Sequence, residues 1–84
     1  MSAPSTQLQE RIMRAMAVVS ARKLRRRESA VVSTADLSEE LGRAGQVLGH
    51  SCGELLRKGM VTRPARATYR LTRAGVEWVA GSVQ

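Results

Sequence analysis

Residues 37–61 read LSEELGRAGQVLGHSCGELLRKGMV. Leu37 and Leu41 stand about one helical turn apart, and Gly42 can take the left-handed conformation that ends a helix. A second periodic run follows the turn RAGQ and stops at Gly59. The spacing predicts a short helix over residues 35–41 and a longer one over 46–58. In the longer helix Leu48, Cys52, Leu55 and Leu56 share one stripe. Gln46, His50, Gly53 and Arg57 fall on the opposite face, with Glu54 at its edge. Gly45, Gly49 and Gly53 recur at intervals of four residues, although an interior glycine costs a helix about 1 kcal/mol against alanine. They suit either a close approach by a neighbouring helix or phosphate backbone, or a marginal helix held by tertiary packing.

Upstream, Ser33 and Asp36 have the spacing of a capping box, and Thr34 is the alternative cap. Residues 30–33, AVVS, form a short β-branched segment. Before it, Leu8, Ile12, Ala15, Met16 and Val19 make an apolar stripe that predicts a first helix over residues 6–21. Gln9, Glu10, Arg14 and Ala17 are placed mostly off that stripe. Residues 22–27, RKLRRR, carry more charge than a helix C-terminus asks for, so both dipole compensation and phosphate contact are open. Residues 1–5 are expected to fray.

Downstream, residues 57–75 carry Arg57, Lys58, Arg63, Arg66, Arg70 and Arg73 and no acid. Residues 60–63 and 68–72 alternate as strands around a Pro-Ala-Arg-Ala turn. Tyr69 and Leu71 face one side of that hairpin, and Thr68, Arg70 and Thr72 the other. Thr72 caps a last helix over residues 73–80, with Val76 and Val79 inward, Trp78 near them and Gly81 as the stop.

The element order is helix, strand, helix, helix, strand, strand, helix, a mainly α fold with a small β-hairpin (α+β). Its 84 residues form one domain, 43% hydrophobic, with a net charge of +7 and a pI near 11.3. Such a basic domain usually meets a polyanion. The single cysteine, Cys52, excludes an internal disulfide and a Cys-rich zinc site. His50 and Cys52 lie on different helix faces, so no metal is expected. No cofactor motif appears, and the one histidine has no nucleophile and orienting partner, so an enzyme is not expected. No apolar run reaches the roughly 18 residues of a membrane span. Glu10, Arg11 and Arg14 break any signal-peptide layout, which makes a cytoplasmic protein the expectation. Tyr69 and Trp78 are the only aromatics and sit at packing positions, unlike the stacking platforms of a single-strand binder.

Residues 37–61, together with LLRKGMVTR and YRLTRAGVEWV, resemble a winged helix-turn-helix domain. The likeness covers about residues 7–80, in which Leu-Thr-x-x-Gly leads the second wing strand into the last helix. It implies that the second helix of the pair enters the major groove of double-stranded DNA while the hairpin lies along the backbone or in the minor groove. On that likeness Gln46, His50 and Arg57 are candidate groove contacts, since Gln suits adenine and Arg guanine. Arg63, Arg66 and Arg70 are candidate wing contacts, and Arg43 and Lys58 candidate phosphate contacts. The implied function is a small prokaryotic, phage or plasmid transcriptional regulator, sequence-specific and working as a homodimer, with no small-molecule effector. The alternatives are a protein–protein interaction module within a larger assembly and an RNA-binding accessory protein.

Overall fold

A computed structural model describes residues 3–82. Among them are four helices and three short strands: α1 (Gln7–Arg25), β1 (Val32–Ser33), α2 (Thr34–Leu41), α3 (Gly45–Arg57), β2 (Val61–Thr62), β3 (Thr68–Leu71) and α4 (Arg73–Ser82). The fold is mainly helical with a small antiparallel sheet in the order β1-β3-β2. Val32 pairs with Tyr69 and Ser33 with Thr68 on one side of β3. Val61 pairs with Leu71 and Thr62 with Arg70 on the other. The expected order of elements is therefore present, and the short β-branched segment completes the sheet by joining the hairpin.

The core gathers one face from each of the first three helices, with α4 packed at its edge. Ile12, Met13 and Met16 from α1 meet Leu37 from α2 and Leu48, Cys52 and Leu55 from α3, all fully buried. Val32, Val61 and Tyr69 close it from the sheet. Leu37 is the only buried side chain of α2. That eight-residue helix is too short to hold itself, so its position rests on this anchor and on its caps. Ser33 is the N-cap: its Oγ accepts from the Asp36 N–H at 3.0 Å, and Asp36 Oδ2 accepts from the Ser33 N–H at 3.0 Å. The reciprocal box makes Ser33, and not Thr34, the cap. Gly42 ends α2 at φ +65 as expected.

Several expectations are corrected. α1 continues to Arg25, past the expected end at residue 21. The extra turn is carried by tertiary contacts: Arg22 pairs with Glu40 at 3.2 Å and Lys23 with Asp36 at 2.9 Å, and Lys23 Nζ donates to Val31 O. Gln9 is not an outward residue. It is buried, and its Oε1 accepts from the Ser5 N–H at 3.0 Å and from Lys58 Nζ at 3.1 Å. On α3 Leu56 lies at the exposed margin, and Ser51 takes a buried place.

α4 runs through Gly81 to Ser82, so that glycine is no stop. Val76 is 53% exposed, while Gly75 is buried. The start of α4 presses so closely on the chain between α3 and β2 that a Cβ on Gly75 would lie 2.2 Å from Met60 O. Thr72 Oγ1 caps α4 by accepting from the Gly75 N–H, and it donates toward the carbonyls of Gly59 and Met60. The glycine of Leu-Thr-x-x-Gly thus exists to let two backbones touch. Trp78 is half-buried at the edge of the core, with the Arg14 guanidinium 5.4 Å from its ring centroid.

Candidate nucleic-acid interface

The buried stripe of α3 fixes which side faces outward. Gln46, Val47, His50 and Arg57 are exposed, and Gly49 and Gly53 lie on the same side. A Cβ at Gly49 or Gly53 would meet nothing within 4 Å. No part of the described chain approaches these glycines, so intramolecular close packing does not account for them. They leave the helix surface bare between three longer polar side chains, a shallow face from which Gln46, His50 and Arg57 project. Arg57 is bonded to Glu54 one turn back. An exposed pair of this kind contributes little, and an incoming phosphate or base can replace it.

The hairpin loop is short and tied down. The Ala65 N–H donates to Thr68 Oγ1 at 3.0 Å, and the Thr68 N–H and hydroxyl both donate to Ala65 O. Ala67 takes φ +56, which turns its carbonyl toward α2. There it accepts from the Thr34 N–H at 2.9 Å and from Thr34 Oγ1 at 3.3 Å. Thr34 also faces the start of α3, since a Cβ on Gly45 would sit 3.6 Å from its Cγ2. The loop tip and the first residue of α3 therefore converge on Thr34, the first residue of α2. Arg63, Arg66 and Arg70 project from this anchored loop and the strand after it, all exposed. No periodicity in the sequence signals this role of Thr34, because it depends on a contact 33 residues away.

Five of the seven acids are paired. Glu10 pairs with Arg14, Glu40 with Arg22, Asp36 with Lys23, Glu54 with Arg57 and Glu77 with Arg73. Among the described residues no acid pairs with Arg43, Arg63, Arg66 or Arg70, and their field is left uncompensated. The Ser33 N–H and the Lys23 ammonium hold the Asp36 carboxyl below the usual carboxylate range. Asp36 therefore remains an anion that belongs to the fold.

No family model matches this chain, and no curated protein or solved structure matches it.

Of the eight residues singled out from the sequence, seven present exposed side chains: Arg43, Gln46, His50, Arg57, Arg63, Arg66 and Arg70. Arg43 lies in the turn between α2 and α3, where its carbonyl accepts from Ser38 Oγ. Lys58 is the exception. Its Nζ donates to Ala3 O at 3.0 Å, Ser5 Oγ at 2.7 Å and Gln9 Oε1 at 3.1 Å. It fastens the chain ahead of α1 to the end of α3 and has a structural task instead of a free cation's. Cys52 is fully buried, and burial pushes its thiol up to about 11. No group of three or more His, Cys, Asp or Glu side chains able to hold a metal occurs among the described residues. No described helix is long and apolar enough to cross a membrane.

Proposed function

We propose that this chain is a winged helix-turn-helix module that binds double-stranded DNA in a sequence-specific way, as a small transcriptional regulator. The observation that carries the reading is a single exposed surface. It joins the polar face of α3 to the anchored loop bearing Arg63, Arg66 and Arg70, with no acid paired to those three arginines among the described residues. The sheet order β1-β3-β2 behind it holds the loop and α3 in one frame. In this reading α3 lies in the major groove, where Gln46, His50 and Arg57 meet base edges and the bare backbone at Gly49 and Gly53 admits close approach. The loop arginines meet phosphates or the adjacent minor groove. Arg43 contacts phosphate from the turn.

A single module touches few base pairs, so the proposal includes a homodimer. The groove between α1 and α4 is the surface for a second copy. It is lined by small and aliphatic residues, among them Ala17, Ala21, Leu24 and Val76, and Leu24 is 59% exposed. Among the described residues no charged side chain lines it, so two copies of a strongly basic chain can meet there with little repulsion.

The test is binding to duplex DNA across a salt series, with Arg66→Ala and Arg57→Ala beside the unchanged protein. Arg66→Ala is expected to weaken binding to every sequence and to reduce the salt slope by about one contact. Arg57→Ala is expected to weaken binding selectively, by about 1–3 kcal/mol at the preferred site. Absence of duplex binding at low salt overturns the proposal. Sedimentation of the free protein and of a Val76→Glu variant tests the dimer, and a monomer at all concentrations removes that part alone.

A further inference from the structure

The basic run at residues 22–27 divides in two. Arg22 and Lys23 are spent on Glu40 and Asp36. Arg25, Arg26 and Arg27 are exposed, and no acid pairs with them among the described residues, Glu28 included. Their backbone is fixed. The Arg27 N–H donates to Leu24 O at 3.0 Å and the Glu28 N–H to Lys23 O at 2.9 Å, which together form a Schellman-type helix end. The residue in its left-handed position is Arg27, at φ +61. Glycine is the usual occupant there, because a Cβ makes this conformation costly. An arginine stands where glycine would end the helix at lower cost.

Contacts also fix where the cluster sits. Lys23 reaches Val31 and Asp36 beside the start of α2. Thr34, the first residue of α2, holds the hairpin tip through Ala67 O. The end of α1, the start of α2, the start of α3 and the hairpin tip therefore share one end of the molecule. The opposite end is marked by Lys58 fastened to residues 3–9. With a longest dimension of 33 Å, the chain can follow about one turn of duplex.

From this we infer that Arg25, Arg26 and Arg27 form a second phosphate-contact site, engaging the DNA backbone beyond the hairpin on the same duplex. The inference rests on the duplex-binding proposal. The site extends the footprint and adds affinity without reading sequence. Arg27 gives up helix-end stability to place a guanidinium there.

The test compares three variants with the unchanged protein on a 30-base-pair duplex over a salt series. They are the triple Arg25→Gln/Arg26→Gln/Arg27→Gly, the single Arg27→Gly, and Arg11→Gln/Arg73→Gln, which removes charge at other places. The triple variant is expected to make the log-affinity against log-salt slope shallower by about 2 to 3, at roughly 0.9 per contact. Arg27→Gly is expected to make it shallower by about 1 while raising the melting temperature by a few degrees. Arg11→Gln/Arg73→Gln is expected to leave the slope unchanged. If the triple variant keeps the original slope, or Arg11→Gln/Arg73→Gln lowers it equally per charge, the inference falls and the duplex-binding proposal stands. If the unchanged protein binds no duplex, both fall. If the triple variant loses only binding to phosphatidylserine vesicles, the cluster serves a membrane surface and the inference is overturned.

Discussion

Alanine in place of Gly75 is expected to destabilise the protein by about 2 kcal/mol, against the trend of helix propensity. By propensity alone, Gly→Ala inside a helix gains about 1 kcal/mol. At Gly75 the new Cβ would lie 2.2 Å from Met60 O and 3.2 Å from Leu71 Cδ2. Restoring an ordinary contact moves backbone by about 1 Å, well inside the range where repulsion dominates. That carbonyl also accepts from the Thr72 N–H at 3.0 Å and from Thr72 Oγ1 at 3.0 Å. Overpacking of a tight site costs about 1–3 kcal/mol, and weakening two hydrogen bonds adds about 1 kcal/mol. Subtracting the propensity gain leaves about 2 kcal/mol. The control is Gly53→Ala, where nothing lies within 4 Å and the propensity gain of about 1 kcal/mol should appear in full. Urea unfolding reads both, with the midpoint falling for Gly75→Ala and rising for Gly53→Ala at an unchanged m-value. A neutral or stabilised Gly75→Ala would refute the claim that this glycine exists for backbone contact. The same Gly53→Ala protein should bind duplex DNA more weakly if the bare face of α3 serves close approach.

Further outcomes are expected at four other residues. Ser33→Ala removes half of the capping box and should cost about 1 kcal/mol, measured by thermal unfolding at neutral pH. Because the folded-state pKa of Asp36 is depressed, its contribution is present above the ordinary carboxyl value of 3.8 and fades as pH falls below it. Asp36→Asn should therefore flatten the acid limb of the melting-temperature profile while lowering stability at pH 7. Burial raises the Cys52 thiol from 9.0 to about 11, so stability should decline as pH rises through that window, where the unfolded thiol ionises and the folded one stays protonated. At pH 8 the native thiol should react with an aromatic disulfide reagent only as fast as the chain opens, and prompt labelling would contradict its burial. Lys58→Met should loosen the chain ahead of α1, seen as faster amide exchange near Gln9, while leaving the salt slope of duplex binding unchanged. A slope reduced by about one would return Lys58 to the phosphate contacts.

The sequence by itself determined the number, order and type of the elements. Leu37, Leu41 and Gly42 determined α2, and Leu48, Cys52 and Leu55 the buried side of α3, because a helix brings residues three and four apart onto one face. That face in turn determined that Gln46, His50 and Arg57 look outward. Local patterns could not reach what depends on contacts between distant residues. Gln9 reads as an outward polar residue until Lys58, 49 positions later, supplies its partner. Arg22 and Arg25 are alike in the sequence, and only the arrival of Glu40 beside one of them separates a cation used by the fold from an exposed one with no acid paired to it among the described residues. Gly49, Gly53 and Gly75 are also alike in one dimension. The tertiary structure alone decides that Gly75 is pressed against Met60 and the other two are bare, because contact distance is a property of packed backbones.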